Sequence, residues 1–141
     1  MASRDEIADA IAGMTLFADL ARPQLLGVAS RFEEAFFPKD ARVLRQGLTG
    51  SGFYVILDGE ADVIADGKKR ATLARGEFFG ELSVLDRMPR NASVIAEVPT
   101  SCLALASWDF EKVLLEQPAL TLTILRGVAT RLRAATESSR H

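Results

Sequence analysis

The sequence predicts a mainly β fold with flanking helices: a jelly-roll-like β-barrel preceded by N-terminal helices and followed by C-terminal helices. Two observations carry this. From Phe32 to Ala106 short apolar runs alternate with Gly, Pro and Asp at intervals of about six to twelve residues, the signature of an all-β sandwich or barrel. On either side the apolar residues recur instead at helical spacing. At 141 residues, 48% of them hydrophobic, the chain suits one domain with a substantial core, with the barrel at about residues 32–106 and the C-terminal helices at about 107–136.

Ser3-Arg4-Asp5-Glu6 reads as a capping box, after which Ile7 and Ile11 share one helical face and Gly13 ends the helix. Met14 to Leu20 supplies apolar side chains that dock this segment on the body of the domain. A second helix follows, with Pro23 in its first turn and Leu25, Leu26, Val28 and Ala29 as its apolar content. Both helices are short, so packing rather than propensity must hold them.

The strand candidates are 32–37, 42–45, 53–57, 60–65, 68–73, 92–98 and 101–106. Turn residues separate them, and Asp66-Gly67 is the sharpest signal, because Asp-Gly accepts the positive φ angles of a two-residue hairpin loop. Beyond Ala106, Ser107 is placed to cap a helix carrying Trp108, Phe110, Val113, Leu114 and Leu115. Pro118 interrupts it, and a last helix runs to about Thr136. Leu122, Leu125, Val128, Ala129, Leu132 and Ala135 form its apolar stripe, which can pack on the barrel, join a second copy, or cover a ligand.

Composition excludes several functions. A net charge of −2, from 17 basic and 19 acidic residues, gives no general attraction for nucleic acid or a membrane surface. Cys102 is the single cysteine and His141 the single histidine, so no intramolecular disulfide and no thiolate or imidazole cluster for a metal is expected. Cys102 lies in an apolar run and reads as a buried thiol. The sequence shows neither a signal peptide nor an apolar run of about 18 residues, so a cytoplasmic location without a membrane span is the expectation.

The stretch 78–94, FFGELSVLDRMPRNASV, resembles a mould for a small anion. Gly80 allows close backbone approach, and a helical turn over 80–85 would offer free N–H groups. The segment 86–89 turns the chain, Pro89 fixes it, and Arg90 brings a planar fork able to make two parallel hydrogen bonds to phosphate oxygens. Glu81 repels a phosphate, so beside one it must accept from hydroxyl groups or pair with arginine. A phosphate next to a free hydroxyl, as in a sugar phosphate or nucleotide, fits that combination; an exposed ion pair between Glu81 and Arg90 is the plain alternative.

Phe79-Gly80-Glu81-Leu82-Ser83 followed by Pro89-Arg90-Asn91-Ala92-Ser93-Val94 closely resembles the phosphate-binding cassette of cyclic-nucleotide-binding domains, the family of protein kinase A regulatory subunits, cyclic-nucleotide-gated channels and the catabolite activator protein. Arg45-Gln46-Gly47, Tyr54 to Gly59 and Val63 resemble that family's early strands and turns, and the likeness covers roughly residues 14–136. The resemblance implies that Glu81 accepts the ribose 2′-hydroxyl and Arg90 holds the cyclic phosphate. Backbone N–H groups around Leu82, Ser83 and Asn91 would complete the phosphate cage, with Gly80 as its floor and Ala92 beside it. Val63 and Val94 would flank the base, and a lid residue, with Arg126 as the guess, would come from the last helix.

Asn91 departs from the family's usual alanine, threonine or serine, which leaves cAMP against cGMP open while favouring cAMP. The implied ligand is a cyclic nucleotide and no cofactor. The implied role is a non-enzymatic regulatory sensor acting through movement of the C-terminal helix on an unknown effector domain or protein, with a homodimer through Leu125, Val128 and Leu132 as a further expectation. A degenerate, non-binding interaction module is the alternative, and a cupin-like barrel enzyme the more distant one.

Overall fold

Ser3 and Glu6 close the capping box reciprocally, the Glu6 N–H donating to Ser3 Oγ and the Ser3 N–H to the Glu6 carboxylate, each at 3.2 Å. They start α1 (Arg4–Ala12), which buries Ile7, Ala8 and Ile11. A 3-10 turn (Thr15–Phe17) buries Leu16 and Phe17 and leads to α2 (Arg22–Ala29). Gln24 caps the Ala21 N–H at 2.8 Å, but Ala21 has no side-chain oxygen to return the bond.

The computed structural model describes residues 2–44, 46–47, 52–81, 85 and 90–138. Among the described residues eight strands follow the N-terminal helices: β1 (Glu33–Phe37), β2 (Arg42–Leu44), β3 (Gly52–Asp58), β4 (Ala61–Ala65), β5 (Lys68–Leu73), β6 (Phe78–Phe79), β7 (Ser93–Ala96) and β8 (Thr100–Ala106). They form two antiparallel four-stranded sheets, ordered β1-β8-β3-β6 and β2-β7-β4-β5. The β-rich fold with flanking helices is as the sequence predicts, but the strands make two sheets rather than a closed barrel. Asp66 and Gly67 both have positive φ, 54° and 75°, and join β4 to β5 as the Asp-Gly signal predicts. Strand β6 escapes sequence reading because two residues are too few to show a period; it is defined by the pairing of Phe78 with Val55 and Phe79 with Tyr54.

Alternation along the first sheet builds two cores. Phe53, Val55, Phe78, Leu103 and Leu105 face the helices, while Ile56, Phe79 and Cys102 meet Leu44, Ala61, Leu73 and Val94 of the second sheet. Phe53 stacks on Phe110 with ring centroids 4.4 Å apart and lies 5.6 Å from Phe78. Those aromatic contacts tie α3 (Ser107–Glu116) to the sheet.

Ser107 is not the cap of α3. Ala106 occupies that position without a side-chain bond, and β8 passes directly into the helix. Pro118 does begin the last helix, α4 (Pro118–Ser138). That helix is rotated relative to the expected stripe. Leu120 and Ile124 are buried and Val128 is partly buried, whereas Leu122, Leu125 and Leu132 are exposed. Packing uses a face that continues through Gly127 and Arg131, which an apolar count does not recognise as an inner face.

Cys102 is fully buried between the sheets, and burial pushes its thiol up to about 12. An ordinary thiol titrates near 8.5, so above that pH the unfolded chain releases a proton that the folded chain keeps. This contribution is fully present below about pH 8.5 and is lost as pH rises, by at most about 1.4 kcal/mol per unit. Urea unfolding between pH 8 and 11 should therefore show a steeper loss of stability in the native sequence than in Cys102→Ala; equal slopes would contradict the burial of the thiol.

Candidate functional site

A cavity of about 430 Å³ opens at one end of the inter-sheet core, under α4. Of the residues named from sequence, Val63, Gly80, Glu81, Arg90, Asn91, Ala92 and Val94 all line it. Leu82 and Ser83 lie outside the described residues, as do Arg45, the 86–89 turn with Pro89, and His141. Glu81 and Leu85 take helical conformation and Gly80 does not; the rest of the expected 80–85 turn lies outside the described residues.

Arg90 is the centre of the arrangement. It precedes β7, its carbonyl accepts from the Gly47 N–H at 2.8 Å, and its side chain is only 5% exposed. Nη1 donates to the Gly80 carbonyl at 2.7 Å and Nη2 to the Gly52 carbonyl at 3.0 Å, while buried Nε has no partner among the described residues. Burial holds this guanidinium below the usual arginine range, against the opposing influence of Tyr54 and Glu81. Carbonyl dipoles orient the cation without cancelling its charge, so an anion remains its natural complement.

Gly80 is required twice over. Its φ is +92°, and a Cβ there would stand 2.6 Å from the Gly52 oxygen and 3.0 Å from Arg90 Nη1. Any side chain would push apart the contact that seats the guanidinium.

Glu81 is 4% exposed and does not pair with Arg90 in an exposed bridge. Its Oε1 accepts from Nη1 of Arg131 at 3.0 Å. Arg131 also donates to the Phe78 carbonyl and places its guanidinium carbon 4.3 Å from the centre of the Phe78 ring, in cation–π contact. The charged residue that α4 brings to the cavity, among the described residues, is therefore Arg131; Arg126, the guess made from sequence, is exposed and does not line it. Arg131 was missed because it lies just outside the leucine stripe, although its spacing of i+7 from Ile124 places it on the buried face.

Leu44, Ala71, Leu73, Phe79, Val128, Leu132 and Ala135 complete an apolar wall, and Asn91 supplies the one neutral polar side chain among the described lining residues. A second cleft, about 470 Å³, lies between α2 and α3, but its Arg31 is already held by Asp109 at 3.1 Å and Glu116 at 3.0 Å. That cleft reads as an interhelical seam.

A buried arginine fork, an acid paired with an arginine of α4 and an apolar wall together suit a small organic anion. The family model for the cyclic nucleotide-binding domain matches residues 34–117. The chain belongs to the cyclic nucleotide-binding domain family. It is 36% identical over 95 residues to the cAMP-dependent protein kinase regulatory subunit of Schizosaccharomyces pombe, covering 67% of this chain and 22% of that protein. The crystal structure of the Thermus thermophilus catabolite activator protein aligns with TM-score 0.80 and 30% identity over 89% of this chain and 61% of that one. The regulatory subunit of a cAMP-independent protein kinase A from Trypanosoma brucei aligns with TM-score 0.83 at 20% identity, covering 98% of this chain and 50% of that one, a likeness of fold alone. The chain thus spans only part of the length of each relative. No helix among the described residues is long and apolar enough to cross a membrane.

Gly80→Ala should lose about 1–3 kcal/mol of stability through the strained φ alone, and more through the clash with Gly52. Chemical denaturation of the purified variant checks this; wild-type stability would mean the Gly80–Gly52 approach is looser than described.

Proposed function

We propose that the domain binds a cyclic nucleotide, cAMP in preference to cGMP, and reports occupancy through the position of α4. The observation that carries this reading is the charge balance of the cavity. Two guanidiniums, Arg90 and Arg131, and one carboxylate, Glu81, leave a single positive charge among the described lining residues, with Arg90 Nε unpaired. A cyclic phosphodiester carries one negative charge, whereas a phosphate monoester such as AMP carries about −1.5 to −2 at pH 7.

In this reading the phosphate lies against Arg90, above the floor made by Gly80, with Ala92 alongside and the backbone N–H groups of Leu82, Ser83 and Asn91 contributing donors. The ribose hydroxyl donates to Glu81, whose other oxygen is engaged by Arg131. Val63, Val94 and Leu132 enclose the base. An apolar wall with Asn91 as its one neutral polar side chain among the described residues suits adenine, which has fewer polar groups to satisfy than guanine. Arg131 is the contact through which α4 senses the sugar, because the same carboxylate serves both. We assign the domain a binding role rather than a catalytic one; an effector domain, a partner protein or a second copy would respond to α4. The unpaired nitrogen and the uncompensated charge both speak against a non-binding interaction module.

Cyclic AMP at one hundred times its Kd should stabilise the protein by about 2.7 kcal/mol, with a larger effect than cGMP or AMP at equal concentration. Calorimetry and thermal unfolding with the three ligands test this, and no response to either cyclic nucleotide would sink the proposal. Arg90→Lys keeps the charge but removes the fork. It should weaken cAMP binding by about 1.5–3 kcal/mol, roughly 10- to 150-fold in Kd. Unchanged affinity would place the phosphate elsewhere.

A further inference from the structure

Gly127 lies inside the 21-residue helix α4, where glycine is a poor helix former beside alanine. Its lack of a side chain is matched by a close contact. A Cβ at this position would stand 2.9 Å from Cζ and 3.0 Å from Cε2 of Phe78. The Phe78 ring has little freedom to yield, because Phe53 lies 5.6 Å away on the inner side, itself stacked on Phe110, and the Arg131 guanidinium sits 4.3 Å from its centre. Gly127 and Arg131 are four apart and share one face of the helix, so the height of Gly127 above Phe78 sets the reach of Arg131.

We infer that Gly127 is a positioning residue whose missing side chain lets α4 approach the sheet closely enough for Arg131 to grip Glu81. Relieving a 2.9 Å contact requires α4 to lift by about half an ångström or more. Such a lift takes the 3.0 Å bond from Arg131 to Glu81 towards the outer limit of hydrogen bonding near 3.5 Å. The consequence for ligand affinity rests on the nucleotide reading above; the consequence for the seating of α4 does not.

Hydrogen exchange on the ligand-free protein tests the seating with a sign that separates the two roles of residue 127. If Gly127 mattered only to the helix, Gly127→Ala would slow exchange along α4, since alanine is the better helix former. The inference requires the opposite: amides of 126–136 should exchange faster by roughly fivefold or more as the helix unseats. The double variant Gly127→Ala with Phe78→Leu, measured against Phe78→Leu alone, should return exchange towards the reference by making room for the methyl group. Slower or unchanged exchange in Gly127→Ala, or no recovery in the double variant, would overturn the inference. In a second arm, Gly127→Ala should bind cAMP at least about fivefold more weakly and discriminate less between cAMP and 2′-deoxy-cAMP, because Glu81 loses its orienting partner. Altered seating with unchanged cAMP affinity would overturn the link to the site. A native protein that binds no cyclic nucleotide yet shows the expected exchange pattern would refute the proposed function while supporting the inference about seating.

Discussion

The arrangement depends on one buried cation. Arg90 reaches from the segment before β7 across to the opposite sheet, where the carbonyls of Gly52 and Gly80 receive it at the ends of β3 and β6. Removing a guanidinium from water is unfavourable unless its N–H groups find acceptors, and two backbone carbonyls satisfy part of that need without neutralising the charge. The depressed proton affinity of Arg90 expresses the remaining imbalance. A cation oriented in this way by dipoles is organised in advance for an anion.

That geometry constrains the chain around it. Gly80 must be glycine because the carbonyl of Gly52 and Nη1 of Arg90 occupy the space a Cβ would need. Gly47 holds the arginine from behind by donating to its carbonyl, and the neighbouring Gln46 makes paired bonds with Asp66 at the β4–β5 turn, 2.9 and 3.0 Å long. The predicted hairpin thus braces Gln46, whose neighbour Gly47 holds the backbone of the cation. A turn signal read from two residues becomes part of the support of the site.

Strand β6 joins the cavity to the helices. Its two phenylalanines point to opposite faces, Phe79 into the inter-sheet core beside the cavity and Phe78 into the helical layer. Phe78 meets Gly127 and Arg131 on one side and Phe53 on the other, and Glu81 follows three residues later. A change in the seating of α4 is therefore felt at the carboxylate through one short, rigid element rather than through a long chain of contacts. Of the leucines in the apolar stripe of α4, Leu122 and Leu125 are exposed and Leu132 lies at the cavity wall, while the narrow approach beside Phe78 is taken by Gly127, which has no side chain.

The sequence by itself determined the β-rich fold with its helical flanks, the capping box at Ser3 and Glu6, the Asp66-Gly67 hairpin and the grouping of Glu81, Arg90 and Asn91. These are encoded by local rules: period, turn chemistry, and residue types at fixed offsets within one short segment. Only the tertiary structure decided that the strands form two sheets, that β6 exists, that Ala106 rather than Ser107 precedes α3, and that Arg131 rather than Arg126 enters the cavity. Each of those depends on contacts between residues far apart in the chain, such as Val55 with Phe78 or Glu81 with Arg131. The inner face of α4 is the clearest case. Glycine and arginine carry no hydrophobic signal, yet the space above one aromatic ring and the charge of one buried carboxylate select them.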